Sequence, residues 1–344
     1  MMALDLQCVT IGTIGSLVRQ EQTSSFLLNT FFPSTFNSNS ALVRLDTIVP
    51  KNELARFVAC CVDAKGRLRQ DPVTQYMQPA YIKEYNAIEA CCDERMIGEP
   101  VEGWSTQQRL AAKIAMEQGY QFTAVQNRLE WMAANALLNG GYTISGDGFT
   151  TYDIDFGRDT ANTYTPAVTW DNPLANPKQD IQKMIDLAFV AGRAQPTHII
   201  MGTEAFDAAA GTQPFNDIIR NNGYSVAGIP DFNLAAPVTG GMYRGMWGNM
   251  QVWTYSNRYL DDAGVSQEVF DPRAVVVLSA APNGVQGIKA FGRIKNAYYN
   301  GNATDVFTFS EIQSLGKAIA VQSESNALVI PRNINATASA IVLP

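Results

Sequence analysis

Few side chains in this sequence are of the types that perform catalysis or bind metals. The chain contains one histidine, His198, directly before the apolar run 199–201. A single histidine excludes a two-histidine metal face and leaves little room for a nucleophile–histidine–acid triad. We therefore predict that His198 is a structural residue at the start of a buried strand.

The cysteines do not form a metal-binding or disulfide pattern. There are five, four of them in adjacent pairs: Cys8, Cys60, Cys61, Cys91 and Cys92. Adjacent pairs lack Cys-x-x-Cys spacing, and an odd number is untypical of a secreted disulfide framework, so a reducing cytoplasm fits better. If the two segments pair antiparallel about Tyr76, Cys60 lies opposite Cys92 and a disulfide could form. Free thiols packed as small apolar side chains are the favoured interpretation.

The glycine-rich and acidic motifs are also unspecific. The segments 12–15 and 240–248 lack the Lys-Ser/Thr ending of a phosphate-binding loop, so they are interpreted as turns. Asp153 and Asp155 alternate along one predicted strand and share a face, but a calcium site needs six or more oxygen ligands. A solvated strand face is the better interpretation. The sequence thus predicts no catalytic residue, no cofactor-binding residue and no metal ligand.

Composition narrows the class of protein further. The 344 residues are 46% hydrophobic and only 17% charged, with a net charge of −7. No basic arm or stripe is present that could neutralise phosphates, so the chain is not expected to grip nucleic acid. The sequence has no apolar run of about 18 residues and no basic segment before its first cation, Arg19, so neither a membrane span nor a secretory signal is predicted. A surface with few charges is consistent with a subunit whose surface is largely covered by other copies of the same chain.

The clearest predicted element is a helix over 105–139, capped by Ser105 and ended by Gly140 and Gly141. Its apolar residues recur at spacings of three and four, with Gln118 filling one gap: Leu110, Ile114, Phe122, Val125, Leu129, Met132 and Ala136. At 1.5 Å per residue it would be about 50 Å long. That length suggests a spine, although an ordinary amphipathic core helix has the same pattern. A second helix is predicted from the cap Asn176 to Gly192.

The remaining segments are predicted as strands and connections. Residues 1–40 carry an apolar cluster at 26–33, which should pack on a distant part of the chain or on a neighbouring subunit. Residues 41–98 are predicted as a long β-hairpin that lacks enough bulky side chains to form its own core, with 81–88 as the returning strand. Further strands are predicted at 142–144, 152–156, 199–201, 251–255, 274–278 and 288–294.

Several stretches resemble one known family. The segments 28–33 (LNTFFP) and 43–48 (VRLDTI), then 142–149 (YTISGDGF) and 153–158 (DIDFGR) after the long helix, are similar to the major capsid proteins of lambda-like tailed bacteriophages. The segment 243–248 (YRGMWG), with the strands that follow it, matches in order and spacing. Each stretch alone is weak, but their order over nearly the whole chain is specific. The resemblance implies an α+β fold of the Hong Kong 97 phage capsid type.

The resemblance also implies a domain organisation. It places an N-terminal arm at 1–40, an extended loop at 41–98, a peripheral domain at 99–173 and 304–331, and an axial domain at 174–303 and 332–344. The implied function is a non-enzymatic shell subunit that forms hexamers and pentamers around double-stranded DNA. The implied partners are other copies of the chain and the scaffold, portal and decoration proteins, with assembly in the host cytoplasm and a final location in the virion.

Two alternatives remain at this point. An encapsulin-like compartment would use the same fold to enclose protein cargo, and the spacing of the lambda-like stretches argues against it. A cytosolic α/β enzyme would need a catalytic site, and none is recognisable in the sequence.

Overall fold

The computed structural model describes residues 25–40, 42–47, 73–89, 106–212, 215, 240–261, 264–297, 299, 303–313 and 318–344. The α-helices of these ranges are α1 (Phe26–Phe31), α2 (Thr106–Asn139), α3 (Pro177–Gly192) and α4 (Thr203–Ala210). The strands are β1 (Ser34–Asn37), β2 (Val43–Thr47), β3 (Val73–Met77), β4 (Ala80–Glu89), β5 (Gly141–Ile144), β6 (Tyr152–Asp155), β7 (Thr163–Tyr164), β8 (His198–Gly202), β9 (Gly241–Trp247), β10 (Met250–Tyr255), β11 (Arg258–Leu260), β12 (Ser266–Glu268), β13 (Ala274–Leu278), β14 (Ile288–Phe291), β15 (Phe307–Ile312), β16 (Ala318–Ile330) and β17 (Thr337–Ile341).

A six-stranded sheet has the order β7-β17-β13-β8-β10-β9, and its central strands β8 and β13 are buried on both faces. All five residues of β13 are buried, because alternate side chains enter two different apolar cores. Val275 and Val277 join a cluster that contains Ile181 and Met184 of α3. Val276 joins the opposite cluster, to which α1 and α2 contribute. The continuous apolar run 274–278 is typical of such a doubly covered strand.

A five-stranded sheet is organised around the long strand β16. β4 pairs antiparallel with one edge of β16, and β15 and β14 pair in succession along its other edge. β1 joins the sheet parallel to β14. Helix α2 packs against β16 and also contacts β13 and β17. The long helix therefore links the two sheets.

The predicted spine helix is confirmed, with α2 spanning 34 residues. Its predicted apolar face is buried throughout, and Gln118 is buried with it. Gly140 follows the helix at φ +75°, a conformation that glycine adopts without steric cost. The second predicted helix is also confirmed. The Asn176 side chain caps α3 by accepting a hydrogen bond from the Gln179 backbone N–H at 3.2 Å.

The apolar cluster near the N-terminus packs on distant parts of its own chain. Five side chains of 26–32 are buried in the core: Phe26, Leu27, Leu28, Phe31 and Phe32. The Phe26 ring lies 4.8 Å from the Trp253 ring of β10, between centroids. Burial of this segment resolves the two alternatives left by the sequence, because its partners are α2 and the six-stranded sheet of the same subunit.

The expected pairing of the long hairpin is wrong in register. β2 pairs antiparallel with β3, with Val43 opposite Met77 and Thr47 opposite Val73, so the hairpin is centred near residue 60 and not near Tyr76. The predicted returning strand, 81–88, belongs instead to β4 and pairs with β16, more than 230 residues later. Local apolar content indicated strands correctly, but it could not indicate which strand pairs with which. All five cysteines lie outside the described residues.

Candidate functional site

His198 occupies the structural position predicted for it. It starts β8, its ring meets the Phe31 ring edge-on at 5.3 Å, and its Nδ1 lies 2.7 Å from the Thr197 hydroxyl. The Thr197 hydroxyl accepts from the Ala280 backbone N–H at 2.8 Å, so its own proton can be donated to Nδ1. Burial lowers the pKa of His198 to about 4. The ring is therefore neutral at physiological pH and serves packing.

The other candidate motifs are solvated or structural. Asp153 accepts a hydrogen bond from the Thr143 hydroxyl on the paired strand, and Asp155 accepts one from the Gly157 backbone N–H. Both carboxylates are exposed. Within the described ranges, no group of three or more His, Cys, Asp or Glu side chains is close enough to hold a metal ion. The glycines 240–248 belong to β9 and its flanking turns, and residues 12–15 lie outside the described ranges.

No helix of the described part of the chain combines the length and apolar character needed to cross a membrane. The features that can serve a function are instead the polar groups that join α1, α2, β4 and the two sheets. Three buried groups of this kind stand out, and two of them are centred on a glutamate.

The first group fixes the N-terminal segment to the long helix. Glu130 of α2 is fully buried. Its two carboxyl oxygens accept hydrogen bonds from the backbone N–H groups of Leu27 and Leu28, each at 2.9 Å. The Tyr255 hydroxyl of β10 donates a third, at 2.7 Å. One side chain thus joins α1, α2 and the six-stranded sheet.

The ionisation of this group reflects its burial. Desolvation raises the pKa of Glu130 above its ordinary value, and the three donors offset part of that effect. The same environment raises the pKa of Tyr255, because burial and the neighbouring carboxylate both disfavour the phenolate. Tyr255 therefore remains a hydrogen-bond donor to Glu130.

The second group fixes α2 to the five-stranded sheet. The Gln121 side chain donates to the Val321 carbonyl at 2.8 Å and accepts from the Ser323 hydroxyl at 2.7 Å. Farther along β16, the Tyr142 hydroxyl donates to the Val329 carbonyl at 3.0 Å and accepts from the Val329 N–H at 3.2 Å. These bonds satisfy groups that would otherwise be buried without partners.

The third group is centred on Glu324 of β16, which is 1% exposed. Its carboxylate accepts hydrogen bonds from the Tyr81 hydroxyl and from the side-chain amides of Asn296 and Gln322. The Lys83 ammonium lies 3.4 Å away. The Tyr81 hydroxyl also accepts from a backbone N–H of the segment that follows β14. This group joins β4, β16 and the 292–297 segment.

The end of the long helix is held by side chains from outside it. Arg158 donates to the Leu137 carbonyl at 3.1 Å, and Ser339 of β17 donates to the Leu138 carbonyl at 2.7 Å. Burial lowers the pKa of Arg158 to about 10, which still leaves it charged at neutral pH. A cation at this end is favoured by the helix dipole.

The outer surface carries one large groove and several exposed apolar side chains. The groove has a volume of about 1740 Å³ and is bounded by β4, α2, the β5–β6 hairpin and β11. Elsewhere Leu174, Val190 and Leu260 are 86%, 74% and 71% exposed. Side chains of this size and exposure are typical of surfaces that contact another molecule when they cluster, and are unremarkable when single.

Sequence reasoning missed both buried glutamates. Each carries a recognisable signal, since Glu130 is the only charged residue between Leu129 and Asn139 and Glu324 is the only one in 318–330. A lone carboxylate inside an apolar element must find donors or stay protonated. The identity of those donors depends on segments far away in sequence.

Comparison with known proteins gives a consistent result. The family model described as phage major capsid protein E matches residues 14–342. The major capsid protein of Enterobacteria phage P21 is 27% identical over 284 residues, covering 79% of this chain and 80% of that protein. The major capsid protein of Escherichia phage lambda is 23% identical over 296 residues, covering 82% and 83%.

Among solved structures, a protein described as a capsid protein of an Escherichia coli CFT073 prophage superposes with a TM-score of 0.76 at 21% identity. The superposition covers 99% of this chain and 100% of that one. The expected fold is thereby confirmed as α+β, of the Hong Kong 97 phage capsid type. With a family model matched over almost its whole length, the chain belongs to the phage major capsid protein E family.

Proposed function

We propose that this chain is the repeating subunit of an icosahedral shell, built from hexamers and pentamers, that encloses the double-stranded DNA genome of a tailed phage. The observation that carries the proposal is the family match over 14–342. The architecture supports it, because a 34-residue helix contacts both large sheets, while β2 and β3 form a separate two-stranded sheet that is available to contact another subunit.

The proposed domain organisation follows the arm, loop, peripheral and axial regions expected from the sequence. The peripheral domain would contain α2, β15 and β16 (99–173 and 304–331), and the axial domain would contain the six-stranded sheet with α3 (174–303 and 332–344). Strand pairing supports two adjustments, since β4 and β14 both pair with β16 and fit the peripheral domain better. The extended loop would then be limited to 41–79.

The proposed role is structural and without catalysis. The partners would be other copies of the chain, together with scaffold, portal and decoration proteins of the phage. DNA would be enclosed without sequence-specific contacts, which agrees with the net charge of −7 and the lack of a basic stripe in the sequence. Assembly would take place in the bacterial cytoplasm, and the product would be the virion capsid. Surface side chains such as Leu174 and Val190 would be covered by neighbouring copies.

The test is assembly of the purified chain, alone and with its scaffold, followed by sedimentation velocity and electron microscopy. We expect rings of five and six subunits and closed hollow particles of many megadaltons, built from a 37.6 kDa chain. A small oligomer at every concentration, with scaffold present, would contradict the proposal and favour a cytosolic enzyme. Particles from infected cells that contain a protein cargo and no DNA would favour an encapsulin-like compartment.

A further inference from the structure

Strand β4 has a weakly specified register by its own sequence. Of its residues 80–88, only Ala80 and Ile88 are buried, and the others are half-buried or exposed. A one-residue slip against β16 would turn every side chain to the other face, but a two-residue slip would preserve the faces. Apolar burial therefore chooses only weakly between the observed register and one displaced by about 6.8 Å along the strand, because it fixes few side chains of β4.

The polar group around Glu324 distinguishes these registers. Lys83 lies directly opposite Glu324 in the β4–β16 ladder, and Tyr81 lies opposite Asn326. Both side chains are on the same face of β4 and both reach the Glu324 carboxylate. A two-residue slip would put Tyr81 or Tyr85 opposite Glu324 in place of Lys83, and Tyr81 could then no longer contact both this carboxylate, which is 1% exposed, and the Lys295 N–H. A buried charge that loses part of its donor set is costly, so the slipped registers are disfavoured.

The segment 292–297, which follows β14, contacts both β16 and Tyr81 of β4 and so supports the same register. Asn296 donates to the Glu324 carboxylate at 2.9 Å, and the Lys295 N–H donates to the Tyr81 hydroxyl at 3.1 Å. The Gly292 N–H donates to the Asn326 carbonyl at 2.7 Å. A Cβ at Gly292 would lie 2.5 Å from the Asn326 amide nitrogen, so the backbone approaches β16 closely there. Tyr81 thus bridges two segments that must both be in place.

The position of β4 sets the position of the hairpin, because only Gln78 and Pro79 separate β3 from β4. Pro79 is buried, and the Tyr152 hydroxyl donates to the Gln78 and Pro79 carbonyls at 3.3 and 3.4 Å. Because this two-residue connection is short and held by the core and by Tyr152, a shift of β4 would also shift β3. β3 extends five residues, about 17 Å, beyond it, so a tilt of about 10° at the connection would move the far end of β3 by about 3 Å.

We propose that Glu324, with Tyr81 and Lys83, is the positioning group that fixes the β4–β16 register and thereby the height and direction at which the hairpin leaves the subunit. The inference rests on the proposed function, in which the hairpin contacts neighbouring subunits. In this proposal, one buried carboxylate determines where the hairpin meets the neighbouring subunit. Loss of the group leaves the two cores intact and produces subunits whose hairpins are misplaced.

The test compares three variants. Tyr81→Phe removes one hydroxyl from the group, and Glu324→Gln removes the charge. Tyr142→Phe is the matched control, because its hydroxyl also donates one hydrogen bond and accepts one from a backbone N–H, but both bonds join β5 to Val329 of β16 and neither involves β4. The readouts are amide hydrogen exchange in the unassembled subunit and particle size after assembly.

We expect exchange in 80–89 to rise about tenfold or more in Tyr81→Phe and Glu324→Gln, and to stay unchanged in Tyr142→Phe. We also expect the first two variants to give open or irregular particles and the control to give wild-type ones. Unchanged exchange in 80–89 for Tyr81→Phe would overturn the proposal, even if Glu324→Gln fails to fold. So would equal effects in Tyr142→Phe, which would indicate general destabilisation. If the wild-type chain forms no particles, the proposed function fails, and the exchange comparison still decides the role of Glu324.

Discussion

Replacement of Glu130 by glutamine tests how the N-terminal segment is held in the subunit. Glutamine preserves the shape of the side chain but replaces one carboxyl oxygen by an amide nitrogen, which can only donate hydrogen bonds. The two oxygens of Glu130 each accept from a different backbone N–H, those of Leu27 and Leu28. In Glu130→Gln, one of these N–H groups therefore faces another donor in a fully buried site.

The expected loss follows from that geometry. A buried N–H left without an acceptor costs about 1–3 kcal/mol. We expect Glu130→Gln to lower the free energy of unfolding by about 2 kcal/mol near pH 5. The exchange of the Leu27 and Leu28 amides should rise more than exchange in β13, because α1 loses its attachment while the sheet retains its own hydrogen bonds.

The assay is urea unfolding of the unassembled subunit, combined with hydrogen exchange. Glu117→Gln is the matched control. It lies on the same helix and makes one exposed hydrogen bond, with Asn86 at 2.9 Å, so it should cost less than about 1 kcal/mol. Equal costs for the two variants would refute the assigned role of Glu130. So would exchange of the Leu27 and Leu28 amides at the wild-type rate in Glu130→Gln.

The pH dependence gives an independent check with a defined sign. The pKa of Glu130 is raised in the folded state by burial, so its protonated form is favoured there. The stability linked to that proton is complete below the ordinary carboxyl pKa of 4.5 and is lost as the pH rises through the raised value. The difference between wild type and Glu130→Gln should therefore shrink as the pH increases above about 5. A difference that grows with pH would contradict the raised pKa.

Three further predictions, the first with a matched control variant, concern other parts of the subunit and are tested by urea unfolding. Gly140→Ala should lower the free energy of unfolding by about 2 kcal/mol, because φ is +75° and the new Cβ would lie 2.8 Å from the Arg158 Cβ. The control Gly148→Ala, at φ +81° in open space, should lower it by only about 1 kcal/mol, and equal losses would refute the steric argument. Burial lowers the pKa of His198 to about 4, so the stability of the wild type relative to His198→Gln should fall by up to about 3 kcal/mol as the pH falls from 6.5 to 4. Parallel pH profiles for the two proteins would contradict the lowered pKa. Asp180→Ala removes the acceptor of the Tyr164 hydroxyl and of the Trp170 indole N–H, so it should lower the free energy of unfolding by about 2–3 kcal/mol and shift the tryptophan fluorescence. An unshifted spectrum would argue against the indole contact.

Local sequence determined the elements whose signals are short-range. The spine helix, the capped helix α3 and the apolar strands β8 and β13 were all predicted from periodicity, caps and composition. The two helices depend on interactions within a few residues, and the two strands are marked by continuous apolar runs, so the local pattern is enough to predict that these elements exist. The resemblance of ordered motifs across the chain supplied the fold type, which no single element specifies.

Tertiary structure alone decided which elements pair and which charges are buried. The segment 80–89 is strand-like in sequence, but its partner is β16 and not the outgoing arm of the hairpin. Glu130 and Glu324 are each isolated among uncharged residues in the sequence, but their roles come from donors more than 100 and 240 residues away, at Leu27 and Tyr81. Periodicity states which face of an element is apolar, whereas the choice of partner depends on long-range packing and on satisfying each buried polar group.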